Sequence, residues 1–98
     1  MKRVSVFGAT GSIGQNTIDL IRRAPDDYDV VALTGATNID QLIKDAKELR
    51  ADVAVTSDPA RLFELRDGLA GTGIEAAAGE AALIEAAARP ADWIMSAI

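Results

Sequence analysis

The sequence predicts an α/β fold in which an open parallel sheet carries helices on both faces. Short apolar strand patterns alternate with helical patterns along the chain. The second strand pattern, Val30–Leu33, is a continuous apolar run, as expected of a strand that is covered on both faces. Three glycines stand where the first strand pattern meets the first helix, a junction typical of such sheets.

The first half of the chain has the clearest elements. A strand pattern ends at Gly8, and the helix that begins near Ser12 stops at Pro25. The apolar positions of this helix are Ile13, Thr17, Leu20, Ile21 and Ala24. A second amphipathic helix follows the second strand, and a third strand ends near Ser57. The charged residues of the second helix predict an exposed, salt-bridged face: Lys44, Asp45, Lys47, Glu48 and Arg50.

The second half repeats the alternation more weakly. Asp58 or Ser57 is a candidate N-cap for a helix that has Pro59 in its first turn. The apolar residues expected on the buried face of that helix are Leu62, Phe63, Leu65 and Leu69. A poor strand and an alanine-rich helix over Glu80–Ala88 follow, and the last apolar strand is Trp93–Ile98.

Right-handed crossovers predict the order of these strands. Strands one to three run outward from strand one, the weak fourth strand lies at the far edge, and the last strand returns to the other side of strand one. This order places a topological switch point above Gly8. The last strand, which is expected to be buried, reaches the end of the sequence without a turn or polar tail. We therefore expect residues 1–98 to be an N-terminal domain cut within its last strand.

Composition excludes several classes of function. The chain has 98 residues, 49% of them hydrophobic, which suits one folded domain. It has no cysteine and no histidine, which excludes disulfides, thiolate chemistry and imidazole bases. Its net charge of −5 disfavours nucleic acid as a partner. No apolar run is long enough for a membrane span and no signal-peptide pattern is present, so we expect a cytoplasmic protein without membrane contact.

The glycine junction predicts a phosphate-binding turn. Gly8 permits a sharp turn, Gly11 allows the backbone to touch a ligand, and Gly14 lets the helix lie close to the sheet. The free N–H groups and the dipole of the helix point at the same spot, where a pyrophosphate fits. The hydroxyls of Thr10 and Ser12 are further candidate donors. The alternative is a tight turn alone, but one glycine would suffice for that. The prediction is a Rossmann-like, dinucleotide-binding domain.

The loop after the second strand predicts which dinucleotide is bound. Domains that bind NAD usually carry an acid about 20 residues past the glycines, whereas residues 34–38 read TGATN. The absence of an acid favours NADP, with Thr34, Thr37 and Asn38 as polar neighbours for a 2′-phosphate. Gly35 and Ala36 of the same loop are further candidate contacts. Helix capping is the alternative role for Thr37 and Asn38, with Thr37 and Asp40 spaced as a capping box. The two roles are compatible.

The acidic cluster before the second strand is the one candidate metal site. The spacing of Asp26, Asp27 and Asp29 fits no calcium loop, so a solvated turn is favoured and no metal site is predicted. Trp93 is expected to be a packing residue of the last strand, and Asp19 a solvated or helix-pairing carboxylate.

The chain resembles the N-terminus of the 1-deoxy-D-xylulose 5-phosphate reductoisomerase family. That family opens with a G-[SA]-T-G-S-I-G turn and a T-[LI]-D step, which are residues 8–14 and 17–19 here. Pro25, the V-V-A-L strand, Asn38 and the closing residues 95–98 also match. The resemblance implies NADPH-dependent rearrangement and reduction of 1-deoxy-D-xylulose 5-phosphate to 2-C-methyl-D-erythritol 4-phosphate, in non-mevalonate isoprenoid biosynthesis. It further implies Mg²⁺ or Mn²⁺, a sugar-phosphate substrate and a homodimer.

The resemblance also implies cofactor contacts. They carry over onto five positions here: Thr10, Gly11, Ser12, Ile13 and Asn38. Ala36 and Thr37 occupy the positions of the family's glycine and basic residue, and this departure removes a charge-assisted contact worth roughly 1.5–3 kcal/mol. The family's catalytic and metal-binding residues lie beyond residue 98, so none is assigned in this chain.

Two other interpretations stay open at this point. One is the cofactor domain of another dehydrogenase with a GATG-type turn, such as aspartate-semialdehyde dehydrogenase or an extended short-chain dehydrogenase. The T-I-D step over 17–19 and Asn38 argue against it. The other is an isolated nucleotide-binding module without catalysis.

Overall fold

A computed structural model describes residues 1–97, in which five parallel strands form one sheet of order β4-β3-β2-β1-β5. The strands are β1 (Lys2–Phe7), β2 (Tyr28–Gly35), β3 (Val53–Thr56), β4 (Glu75–Ala78) and β5 (Trp93–Ser96). The helices are α1 (Ser12–Arg23), α2 (Ile39–Leu49), α3 (Leu62–Gly68) and α4 (Glu80–Ala88), with short 3₁₀ turns at Pro25–Asp27 and Pro59–Arg61. The predicted strand order is confirmed. Ile98, the last residue of the predicted fifth strand, lies outside the described residues.

The sheet carries a core on each face, as predicted. On one face, Val4 and Val6 of β1 belong to a buried cluster with residues of α1, α2 and α3, among them Ile18, Leu42 and Leu65. On the other face, the buried cluster joins strand residues to α4 through Ala86. Right-handed crossovers explain this distribution. Strands β1 to β4 are added in one direction across the sheet, and β5 is added on the opposite side of β1. The helix before β5, α4, therefore packs on the opposite face from α1, α2 and α3.

Helix α1 is rotated relative to the face that its periodicity predicts. Its buried residues are Gly14, Ile18 and Ile21, whereas Ile13 and Leu20 are 65% and 60% exposed. The reason is the close approach of Gly14 to the glycine turn, which fixes the rotation of the helix and turns Ile13 away from the sheet.

Two further predictions about burial were wrong. Phe63 is 78% exposed, whereas Leu65 and Leu69 of the same predicted face are buried as expected. The last strand was expected to be buried, but the residues of β5 are exposed at the sheet edge. Trp93 packs there only in part, with its ring centroid 6.2 Å from that of Tyr28.

The charged face of α2 is also different from the prediction. Lys44, Lys47 and Glu48 are exposed, but the Asp45 side chain is completely buried. Asp19 pairs with Arg22 and Arg23 of its own helix, which fits the predicted helix-pairing role. None of the helices in residues 1–97 is long and apolar enough to cross a membrane.

Candidate cofactor site

The glycine turn is fastened to the end of β2. Gly8 has a φ of +80°, a conformation that favours glycine. Its N–H donates to Oγ1 of Thr34 at 3.0 Å, and the N–H of Ala9 donates to the carbonyl oxygen of Thr34 at 2.8 Å. Thr34 is buried and holds the turn in place, and it also lines the cleft beside the turn.

Replacing Thr34 by valine is expected to destabilise the turn. The change keeps the shape of the side chain but leaves the N–H of Gly8 without its acceptor, which costs about 1–3 kcal/mol. Urea denaturation followed by circular dichroism measures this loss. Thr72→Val is a matched control, because Thr72 bonds only its own loop at Leu69 and Ile74. Equal stability of the two variants would show that the Thr34 hydroxyl does not anchor the turn.

Gly14 is required by packing. A Cβ atom at this position would lie 2.1 Å from the carbonyl oxygen of Gly8 and 2.7 Å from the carbonyl carbon of Ala9. These neighbours are backbone atoms that cannot move aside without opening the turn. Gly14 therefore brings α1 into contact with the turn, as predicted, and it serves the fold rather than a ligand.

Gly11 is not required by packing. It is the N-cap of α1 with φ −77° and ψ 172°, which any residue can adopt. Within the described part of the chain, a Cβ atom there would meet only the carbonyl oxygen of Gly8, at 3.7 Å. A side chain at this position would therefore point into open space above the turn.

The first turn of α1 is open to an anion. No side chain of residues 1–97 caps this helix end, and its first turn contains no acidic residue. Ser12 and Ile13 are exposed. The first N–H groups of a helix lack partners inside the helix, and they carry the positive end of its dipole. This end of α1 therefore offers donors and positive potential next to Gly11.

The end of β2 closes onto the glycine turn. A Cβ atom on Gly35 would lie 3.1 Å from Cγ2 of Thr10, so glycine here allows the close approach of the Thr10 side chain. The following loop is tied to β3, because the Thr56 hydroxyl donates to the carbonyl oxygen of Ala36 at 2.7 Å. The N–H of Ser57 donates to the carbonyl oxygen of Gly35 at 2.9 Å.

Asn38 caps helix α2. Its Oδ1 accepts from the N–H of Gln41 at 3.4 Å, which confirms the predicted capping role. The predicted capping box of Thr37 and Asp40 is wrong, because the helix begins at Ile39 and Thr37 lies one residue before the N-cap. Ala36, Thr37 and Asn38 are all exposed.

These elements enclose a cleft of about 380 Å³ at the carboxyl ends of the strands. Its lining residues are Gly8, Thr10, Gly11, Thr34, Gly35, Ala36, Ser57, Leu83 and Ala97. Two hollows of about 470 and 450 Å³ lie at the amino-terminal end of the sheet, near Arg50, away from the glycine turn.

The structure brings together five of the predicted site residues in this cleft: Gly8, Thr10, Gly11, Gly35 and Ala36. Ser12 and Ile13 follow directly in α1, and Thr37 and Asn38 follow Ala36 at the same end of the sheet. Gly14 lies beneath the turn. Ser57, Leu83 and Ala97 also line the cleft, although the sequence pattern did not assign them to it.

The described residues contain no metal site. Within residues 1–97, no group of three acidic residues is close enough to hold a metal ion.

A parallel sheet of this order, with a glycine turn beside the switch point, defines a Rossmann-like domain of the kind that binds dinucleotides. The family profile of 1-deoxy-D-xylulose 5-phosphate reductoisomerase matches residues 4–98. The chain belongs to the 1-deoxy-D-xylulose 5-phosphate reductoisomerase family.

Curated relatives are similar over the whole chain. The 1-deoxy-D-xylulose 5-phosphate reductoisomerases of Ruegeria sp. (strain TM1040) and Bradyrhizobium sp. (strain BTAi1) are 71% and 57% identical to it over 98 residues. The chain spans about a quarter of the length of these relatives, 25% and 24% respectively.

Solved structures share the fold. The reductoisomerase from Zymomonas mobilis in complex with NADPH superposes with a TM-score of 0.97 at 50% identity, covering 99% of this chain and 26% of that one. A reductoisomerase in complex with NADPH, fosmidomycin and magnesium superposes with a TM-score of 0.90 at 33% identity, covering 100% of this chain and 24% of that one.

Proposed function

We propose that this chain binds NADPH, as the cofactor domain of a reductoisomerase. The observation that carries the proposal is Gly11, whose lack of a side chain serves no packing need and leaves space above an uncapped helix end. A pyrophosphate placed there accepts from the N–H groups of Ser12 and Ile13. The NADPH complexes of the similar structures support the choice of cofactor.

The rest of the proposed site binds the adenosine half of the cofactor. Thr10 lies against Gly35, where a ribose can follow the pyrophosphate toward β2. The 2′-phosphate then lies at the loop of Ala36, Thr37 and Asn38, beside the amino-terminal end of α2. No acid of residues 34–38 repels it. The bound cofactor supplies a hydride, and the residues of this chain bind and orient it.

The reaction proposed for the whole protein is that of its family. It rearranges 1-deoxy-D-xylulose 5-phosphate and reduces it to 2-C-methyl-D-erythritol 4-phosphate, in non-mevalonate isoprenoid biosynthesis. The sugar phosphate and a divalent cation, Mg²⁺ or Mn²⁺, bind to parts of the protein outside residues 1–97. The family match and the magnesium complexes of similar structures support this assignment. We further propose that the protein is cytoplasmic and forms a homodimer. Sedimentation of the full-length protein would test the homodimer.

Calorimetric titration with NADPH, and with NADH in parallel, tests the proposal. We expect NADPH to bind more tightly to the folded protein, because the loop over 34–38 contains no acid to repel a 2′-phosphate. Folding is checked first by circular dichroism. A folded full-length protein that binds neither coenzyme would overturn the proposal. Metal-dependent turnover of 1-deoxy-D-xylulose 5-phosphate by that protein would exclude a non-catalytic nucleotide-binding module.

Introducing a cation at position 37 is expected to strengthen NADPH binding. Thr37→Arg places a guanidinium on the exposed loop where the 2′-phosphate is proposed to lie. A charge-assisted contact of roughly 1.5–3 kcal/mol corresponds to a Kd lower by about 10- to 150-fold. The Kd for NADH should not change, and the neutral variant Thr37→Gln is the control. Equal gains for both coenzymes would place the 2′-phosphate elsewhere.

A further inference from the structure

Asp45 is a buried carboxylate with a complete set of partners. Its Oδ2 accepts from Nε2 of Gln15 at 2.7 Å, and its Oδ1 accepts from Nε2 of Gln41 at 2.9 Å. The guanidinium of Arg22 lies 3.6 Å from Oδ1. A buried carboxylate is costly unless it is paired and hydrogen-bonded, and here three groups from two helices satisfy it.

One of these partners reaches the glycine turn. The Nε2 of Gln15 donates a second hydrogen bond, of 2.8 Å, to the carbonyl oxygen of Ala9. An amide nitrogen has two protons, so Gln15 can hold Ala9 and Asp45 at the same time. Because Ala9 lies between Gly8 and Thr10, the position of the turn depends on a carboxylate in helix α2.

The other amide partner reaches the loop before α2. Gln41 bonds Asp45 through its side chain, and its backbone N–H donates to Oδ1 of Asn38, the N-cap of the helix. Asn38 follows directly on the exposed residues Ala36 and Thr37. A continuous path of hydrogen bonds therefore runs from the glycine turn through Asp45 to the amino-terminal end of α2.

We propose that Gln15, Asp45 and Gln41, which we call the Asp45 bridge, position the two phosphate-binding ends of the NADPH site relative to each other. This inference rests on the proposed function. The glycine turn would hold the pyrophosphate, and the end of α2 would hold the 2′-phosphate. The Asp45 bridge joins the two segments through the interior, so it acts without touching the cofactor.

The charge of Asp45 is part of this arrangement. Arg22 also pairs with Asp19 and Glu48, and the hydrogen bond with Glu48 raises the pKa of the Arg22 guanidinium. Arg22 is therefore a permanent cation that balances the carboxylate. Asparagine at position 45 would keep one acceptor oxygen but would turn an amide N–H₂ toward the amide donor of Gln15 or Gln41. Gln15 cannot turn its amide over, because its Nε2 also donates to the carbonyl oxygen of Ala9, whereas the amide of Gln41 can turn over and accept. The substitution therefore weakens the bridge chiefly by removing the charge that pairs with Arg22.

Coenzyme titrations of the full-length protein carrying this domain test the proposal. We expect Asp45→Asn to raise the Kd for NADPH about tenfold and the Kd for NADH about threefold, because loss of the charge weakens the hydrogen bonds of both arms. Glu48→Gln is the matched control. Glu48 lies on the same helix and pairs with the same Arg22, but its carboxylate bonds neither Gln15 nor Gln41. The control variant should leave both dissociation constants within about twofold.

Variants of the two arms separate positioning from stability. Gln15→Leu detaches the glycine turn and should raise the Kd of both coenzymes by the same factor, because both contain a pyrophosphate. Gln41→Leu detaches the α2 end and should raise the Kd of NADPH alone. A purely structural role would lower the melting temperature of each variant but would leave the ratio of the two dissociation constants unchanged in Gln41→Leu as well.

The outcomes distinguish this proposal from the proposed function. Failure of the unsubstituted protein to bind NADPH overturns both. Normal binding of NADPH and NADH by Asp45→Asn, Gln15→Leu and Gln41→Leu overturns the Asp45 bridge alone. If Asp45→Asn does not fold, the half-buried Gln15 and Gln41 carry the test, and an identical NADPH-to-NADH ratio in their two variants overturns the proposal.

Discussion

Gly14→Ala is expected to destabilise this protein more than the same methyl group added at Gly11. The new Cβ atom would lie 2.1 Å from the carbonyl oxygen of Gly8, well inside van der Waals contact. Alanine is otherwise the better helix former by about 1 kcal/mol, so a loss of stability would isolate the clash. Overpacking of a rigid contact typically costs about 1–3 kcal/mol, and the backbone neighbours here place the loss at the upper end.

Urea denaturation of Gly14→Ala and Gly11→Ala measures this effect. The two variants add the same methyl group at positions three residues apart. The Cβ atom at position 11 would lie 3.7 Å from the carbonyl oxygen of Gly8, which is ordinary van der Waals contact. Gly11→Ala should cost about 1 kcal/mol or less, the difference between glycine and alanine at an N-cap. Equal midpoints for the two variants would contradict the close contact between α1 and the turn.

Gly11→Val is expected to abolish NADPH binding while the protein stays folded. The backbone of Gly11 already has extended angles that valine can adopt, and its side chain would enter the open space above the turn. That space is where we propose the pyrophosphate to lie. The Kd for NADPH should rise by about 100-fold or more, equivalent to roughly 2.7 kcal/mol, and the Kd for NADH should rise in parallel.

The measurement is calorimetry on unsubstituted protein, Gly11→Ala and Gly11→Val, after circular dichroism confirms the fold of each. The affinity should fall stepwise with the size of the side chain, with alanine intermediate. Unchanged binding by folded Gly11→Val would remove Gly11 from the cofactor site and withdraw the main support for the proposed function. The two glycine predictions are complementary, because one variant loses stability and the other loses the ligand.

The architecture could be predicted because it depends on local patterns. Strand and helix periods, the breaks at Gly8 and Pro25, and the handedness of crossovers were sufficient for the strand order. The candidate site followed from the same patterns, since parallel strands bring their carboxyl ends to one edge. Gly8 and Gly35 therefore both line the cleft. Gly8 is hydrogen-bonded there to Thr34, which follows it by 26 residues in the chain.

The faces of the helices could not be predicted in the same way. Periodicity placed Ile13 and Leu20 with the buried positions, because it counts apolar residues and not contacts. The contact of Gly14 with the turn decides the rotation of α1, and a residue without a side chain has no weight in a hydrophobic pattern. The burial of Asp45 was not predicted either, since an acid that lies among other charged residues of a helix is usually solvated.

By itself the sequence determined the order and type of the elements, the position of the glycine turn and the family to which the chain belongs. The turn at Gly8 and the close packing at Gly14 agree with the roles predicted for them, and Gly11 leaves space above the turn. Only the tertiary structure decided the rotation of α1 and the burial of Asp45 between Gln15 and Gln41. The physical reason is that backbone contacts and hydrogen bonds between distant segments exist only after the helices have packed on the sheet.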